Sequence, residues 1–74
     1  MKLGKSVGAN IRRGRMSKGM TQEQLAARMQ LLGCDVSRGT LAKLETGLRH
    51  ISVKEFEAVR QILDMSYEDF FEQT

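Results

Sequence analysis

Residues 21–47 read Thr21-Gln22-Glu23-Gln24-Leu25-Ala26-Ala27-Arg28-Met29-Gln30-Leu31-Leu32-Gly33-Cys34-Asp35-Val36-Ser37-Arg38-Gly39-Thr40-Leu41-Ala42-Lys43-Leu44-Glu45-Thr46-Gly47. Thr21 followed three residues later by Gln24 is a capping box, in which each side chain satisfies a backbone N–H of the other at a helix start. Met20 before the cap and Leu25 after it form a hydrophobic staple. Leu25, Met29 and Leu32 recur at helical spacing and predict one core-facing stripe, while Ala26 and Ala27 are small enough to let a second helix come close. Gly33 ends that helix and Cys34-Asp35-Val36 is a short connector. Ser37 then caps a further helix, Arg38 to Thr46, stopped by Gly47. Its buried side is Leu41 and Leu44, with Val36 tucked in from the turn. Its other side presents Arg38, Gly39, Thr40 and Lys43.

The same punctuation extends in both directions. Upstream, Val7 and Ile11 lie four apart on one face, Arg12, Arg13 and Arg15 form a basic cluster, and Lys18-Gly19 is a stop signal. Gly14 weakens this helix by about 1 kcal/mol relative to alanine. Downstream, Ser52 with Glu55 opens a helix whose stripe is Phe56, Val59, Ile62 and Leu63. Ser66 with Asp69 opens a last one carrying Tyr67, Phe70 and Phe71. The chain contains no proline and no alternating strand pattern. The expectation is an all-α, single-domain chain (1–74) of five helices, at about 5–18, 22–32, 38–46, 53–63 and 67–73.

Composition narrows the function. The 74 residues are 41% hydrophobic and 28% charged, with net charge +3. That average hides an asymmetry: residues 1–49 hold 10 Lys/Arg against 3 Asp/Glu, whereas residues 50–74 hold 2 against 6. A basic front and an acidic rear suggest one surface that attracts polyanions and another that does not. One histidine, His50, and one cysteine, Cys34, cannot assemble a zinc site within a chain, and no serine or cysteine nucleophile has a credible partner set. Neither an enzyme, nor a metal, nor a cofactor is expected. Cys34 reads as a half-buried turn residue, and the methionines as core fillers. Gly4-Lys5-Ser6 lacks the strand and first glycine of a phosphate loop. No apolar run suits a membrane span and Met1–Ser6 has no signal-peptide stretch, so a reducing cytoplasmic setting is expected.

Two helices joined by a connector, the second well capped and offering a polar, partly basic face, suit the major groove of B-DNA, which admits one α-helix. The segments Gly8–Arg15, Gly19–Ala26 and Val36–Gly47 together resemble the phage-repressor/Cro (XRE) family of helix-turn-helix DNA-binding proteins. Leu63–Phe71 is similar to that family's fifth helix. The resemblance implies a lambda-repressor-like domain and a sequence-specific transcriptional regulator, a repressor acting at an operator on double-stranded DNA. It implies base contacts from Arg38, Gly39, Thr40 and Lys43, and phosphate contacts from Gln22, Ser37, Thr46 and Arg49. It further implies a buried ion pair between Arg15 and Glu45. Arg12 and Arg13 are left open between a solvated face and a phosphate contact.

The chain departs from the family pattern in three places. The connector around Met29–Asp35 is about five residues longer than usual, which leaves the docking angle of the second helix open. Gly14 replaces a large apolar residue, implying thinner packing under the first helix. Gly39 takes a side chain away from a reading position, which shifts weight to DNA shape and phosphate contacts. A homodimer on a near-palindromic site is expected, with Tyr67 and Phe71 as interface candidates. The alternative is an antitoxin-like or adaptor protein whose acidic residues 50–74 bind another protein, with DNA binding secondary.

Overall fold

A computed structural model describes residues 3–71. Within it the chain forms five helices: α1 Leu3–Ser17, α2 Gln22–Leu31, α3 Arg38–Thr46, α4 Val53–Leu63 and α5 Tyr67–Phe70. Residues 72 and 73, assigned above to the last helix, lie outside the described residues. Four helix starts follow one local rule. Thr21, Ser37, Ser52 and Ser66 are extended-backbone N-caps whose side chains accept from the amide three residues on, and at Thr21, Ser52 and Ser66 the reciprocal bond completes a capping box. Each such cap is worth about 1 kcal/mol.

The core is a single cluster to which all five helices and the connector contribute. Ile11, Leu25, Met29, Val36, Leu41, Val59 and Phe70 are fully buried in it, with Met20, Ile51, Phe56 and Ile62 packed against its edge. The helix ends depart from the expected bounds in one instructive place. α2 stops at Leu31, and Leu32 is its exposed C-cap instead of the third member of the buried stripe. The turn closes there because Gly33, with φ +88°, reverses the chain and the Cys34 amide bonds back to the Met29 carbonyl at 2.9 Å. Cys34 is buried outright, not half-buried, with its thiol 3.7 Å from the Lys54 carbonyl.

Two glycines of α1 set the packing. A methyl group on Gly8 would land on the Leu44 carbonyl oxygen and 2.8 Å from that of Glu45, so only glycine lets α1 cross the end of α3 this closely. Thinner packing at Gly14, expected from its missing side chain, is not what occurs. Met65 and Leu63 occupy that space, and an added methyl would meet the Met65 sulfur at 2.6 Å. Asn10, 2% exposed, donates from Nδ2 to the Phe70 carbonyl at 2.7 Å and so ties α1 to the end of α5.

Candidate nucleic-acid interface

Helix α3 has two unlike sides. Leu41, Leu44 and Glu45 face inward and are buried. Gly39, Lys43 and Thr46 fall at positions i, i+4 and i+7 and are all exposed, with Arg38 exposed beside them. Arg38 and Lys43 make no ion pair among the described residues, so both charges are free. Ser37 Oγ accepts from the Thr40 amide at 3.1 Å and lies 3.0 Å from Thr40 Oγ1, so the first turn carries a locked pair of hydroxyls. Thr46 Oγ1 bonds back to the Ala42 and Lys43 carbonyls at 3.1 and 3.2 Å.

The inner side of α3 is anchored by a buried carboxylate. Arg15 donates to Glu45 from Nε to Oε2 at 2.7 Å and from the second guanidinium nitrogen to Oε1 at 3.1 Å. Its remaining nitrogen reaches the Met20 carbonyl at 2.7 Å. Gln22, the first residue of α2, donates to the same Glu45 Oε1 at 3.1 Å. One carboxylate therefore joins the end of α1, the start of α2 and the end of α3. Isolated buried charge is costly, but here every buried side-chain nitrogen and oxygen among the described residues has a hydrogen-bond partner.

Outside this junction lies an open groove lined by Ala9, Arg12, Arg13, Met16, Gln22, Ala42, Glu45 and Thr46. It runs beside the exposed row of α3. Arg12 and Arg13, undecided from sequence, both line it, and Arg13 also donates to Asn10 Oδ1 at 2.8 Å. The rotation of α1 against α3 decides this, and no local sequence signal carries it. Arg49 has an occupation that the sequence reading did not foresee. It forks onto Glu55 at 3.0 and 2.9 Å, and Glu55 in turn accepts from the Ser52 amide at 2.9 Å. That fork holds the Glu55 carboxyl below the usual carboxylate range and raises the Arg49 guanidinium. His50 is exposed in the same loop.

A third surface is apolar. Phe70 is buried against Phe56, ring centroids 4.3 Å apart, whereas Tyr67 and Phe71 are about half exposed and flank Phe56 at 5.8 and 6.0 Å. Together with Ile51, Ser52 and Val53 they line a shallow recess. Val53, 82% exposed, is its outermost member. The sequence pointed to Tyr67 and Phe71 but not to Ile51, Val53 or Phe56. A valine at the first position of α4, outside the stripe, was the available signal. The Tyr67 hydroxyl is held by Glu57 at 3.0 Å, and the Arg60 guanidinium sits 5.0 Å from the ring centre. Among the described residues no group of three His, Cys, Asp or Glu side chains is placed to hold a metal, and no helix is long and apolar enough to cross a membrane.

A family model described as helix-turn-helix matches residues 11–70. No curated protein and no solved structure gives a significant match.

Proposed function

Because the chain belongs to the helix-turn-helix family of DNA-binding transcription regulators, of the phage-repressor/Cro type, we propose that it acts as a single domain that represses transcription by occupying an operator with α3 in the major groove. The observation that carries this reading is the free cationic row on α3, set on a helix whose opposite side is locked to α1 and α2 through Glu45. A rigid rod with Arg38 and Lys43 unpaired can follow a groove without first breaking contacts inside the protein. Arg38, Gly39, Thr40 and Lys43 meet base edges, with Arg38 suited to a bidentate contact with guanine. Gln22, Ser37 and Thr46 meet the backbone phosphates, and the groove beside α3 adds Arg12 to that set. Arg49 contributes through the edge of its guanidinium that Glu55 leaves open.

The protein works as a homodimer on two half-sites, joined through the recess around Phe56, and does so in the cytoplasm, where its DNA lies. What supports the dimer is the half-exposed aromatic pair Tyr67 and Phe71, which a second copy would cover. The alternative is an antitoxin-like adaptor whose recess is covered by an unrelated protein; a chain that stays monomeric both alone and on the selected duplex favours it. Selection of bound sites from a random duplex library, followed by sedimentation of the protein alone and with the selected duplex, tests the reading. A near-palindrome bound by two copies, at least about 10³-fold tighter than random duplex, is the expected result. Affinity should also fall by about 10³–10⁵ between 50 and 200 mM salt if 6–10 phosphates are engaged. Equal affinity for all duplexes, or a monomer on an asymmetric site, overturns it.

A further inference from the structure

The loop after α3 folds back onto that helix: the Leu48 and Arg49 amides both donate to the Lys43 carbonyl, at 2.9 and 3.3 Å. Arg49 therefore stands at the foot of the exposed row, beside the last turn of α3. Its charge is unlike those of Arg38 and Lys43, which make no ion pair among the described residues. Nη1 and Nη2 of Arg49 fork onto Oε1 and Oε2 of Glu55, whose side chain is 10% exposed against 40% for Arg49. Arg49 holds the Glu55 carboxyl below its usual range, so at neutral pH the pair is ionised and carries no net charge. The start of α4 does not require that carboxylate. Glu55 closes the capping box of Ser52, yet at Thr21 the same box is closed by the neutral Gln24. The charge at position 55 is spare to the cap, and what it acts on is Arg49.

Resting on the reading of α3 as the DNA-reading helix, we propose that Glu55 is a positioning residue for Arg49 that widens the gap between operator and random duplex: it cancels the long-range pull of the guanidinium on phosphates while fixing the direction of its remaining donors. Random duplex is held by free cations that neutralise phosphates and release counterions. Opposite charges 3.0 and 2.9 Å apart cancel at any greater distance, so the paired Arg49 adds little to that binding. At an operator the helix is seated in one register and a phosphate comes within hydrogen-bond reach of Arg49. A guanidinium has donors beyond those that such a fork takes up. The buried carboxylate already holds them in one orientation, so this contact is made without ordering a free side chain.

The test uses the full chain, random duplex and the duplex recovered by library selection, each titrated between about 50 and 200 mM salt. Glu55→Gln keeps a capping residue of the kind seen at Gln24 and frees the guanidinium. Random-duplex affinity should rise by about fivefold at the lowest salt, with a salt slope steeper by about 0.9, the worth of one added phosphate. Operator affinity should stay within about twofold, because the gained charge is offset by the lost orientation. Glu68→Gln, the same change of charge on α5, should move neither. Arg49→Lys keeps the charge balance but cannot fork, and should weaken the operator complex by about fivefold; this arm stands even if Glu55→Gln folds poorly, which its melting curve shows. An unchanged random-duplex slope in Glu55→Gln, an equal gain from Glu68→Gln, or an operator gain as large as the random one overturns the proposal, as does Arg49→Lys binding the operator like wild type. Failure to recover any preferred sequence overturns the DNA-reading assignment and this role with it, whereas a clear operator with those unchanged slopes overturns this role alone.

Discussion

Replacing Arg15 by methionine should strand the Glu45 carboxylate, and the loss can be worked from the junction itself. The Glu45 side chain is 1% exposed and the Arg15 side chain 10%. Arg15 supplies two of the three side-chain hydrogen bonds that Glu45 receives, at 2.7 and 3.1 Å, and the ion pair that Glu45 makes among the described residues. Methionine keeps a similar apolar stem, so little packing is lost; the charge and its donors are. Breaking a buried pair from one side costs about 3–5 kcal/mol, and a chain of this length holds only about 4–11 kcal/mol in total. Arg15→Met should therefore lower the urea midpoint by about a quarter or more of its value with little change in slope. Glu45→Leu should cost less, because the Arg15 guanidinium lies nearer the surface and can turn to water. In the double variant Arg15→Met/Glu45→Leu no charge remains to be stranded, so it should be more stable than Arg15→Met alone. The cycle should then give a coupling of at least about 2 kcal/mol. A loss below about 1 kcal/mol for Arg15→Met, or a double variant as unstable as the two singles added, refutes the claim that this carboxylate depends on its partner.

Three further outcomes are expected. Gly8→Ala places a methyl on the Leu44 carbonyl, so despite a gain of about 1 kcal/mol in helix propensity it should lower the melting temperature; a rise would show that α1 and α3 are free to part. Glu55 titrates below its usual range because of the Arg49 fork, so its contribution is present above the unfolded carboxylate value of about 4.3 and is lost as pH falls through the lower folded value. Glu55→Gln should flatten the acid limb of stability measured by urea melts below about pH 4.3, and identical limbs would refute the assignment. In binding assays, Arg38→Ala should relax preference at one base pair per half-site, while Gln22→Ala should weaken all duplexes alike; identical behaviour would refute the separate roles given to them.

The helix starts were legible because each is written in four consecutive residues: Thr21 to Gln24, Ser52 to Glu55, Ser66 to Asp69, and Ser37 to Thr40. The exposed row Gly39, Lys43 and Thr46 was legible by elimination, once Leu41 and Leu44 were assigned to the core by period. What stayed hidden depends on distant chain. A glycine in a sequence shows that a side chain is missing but not what fills the space, so Gly8 against α3 and Gly14 against Met65 could not be read. The Asn10 bond to the Phe70 carbonyl spans 60 residues. The Arg49 fork onto Glu55 needs the loop conformation, and the approach of Arg12 to the groove needs the rotation of α1. The recess around Phe56 needs the path of the chain from Ile51 into α4 and the placement of α5 beside it.

The long connector does not act as a loose hinge for α3, and the reason lies at both ends of that helix. At its start Val36 is fully buried, its carbonyl accepts from Gln30 Nε2 at 2.9 Å, and its amide bonds to the Cys34 carbonyl at 2.9 Å. Cys34 is itself pinned between the Met29 carbonyl and the Lys54 carbonyl of α4. At its end the Glu45 junction and the close crossing over Gly8 hold α3 to α1 and α2. The additional residues bulge outward at Leu31, Leu32 and Gly33, all exposed, and lengthen no lever between the two helices. The angle at which α3 is presented is thus set by its packing on α1 and α2 and not by the length of the connector. A change confined to the bulge, such as Leu31→Gln, which removes an exposed apolar side chain that no core residue needs, should leave DNA affinity within about twofold while Gly8→Ala reduces it, since only the second moves the rod.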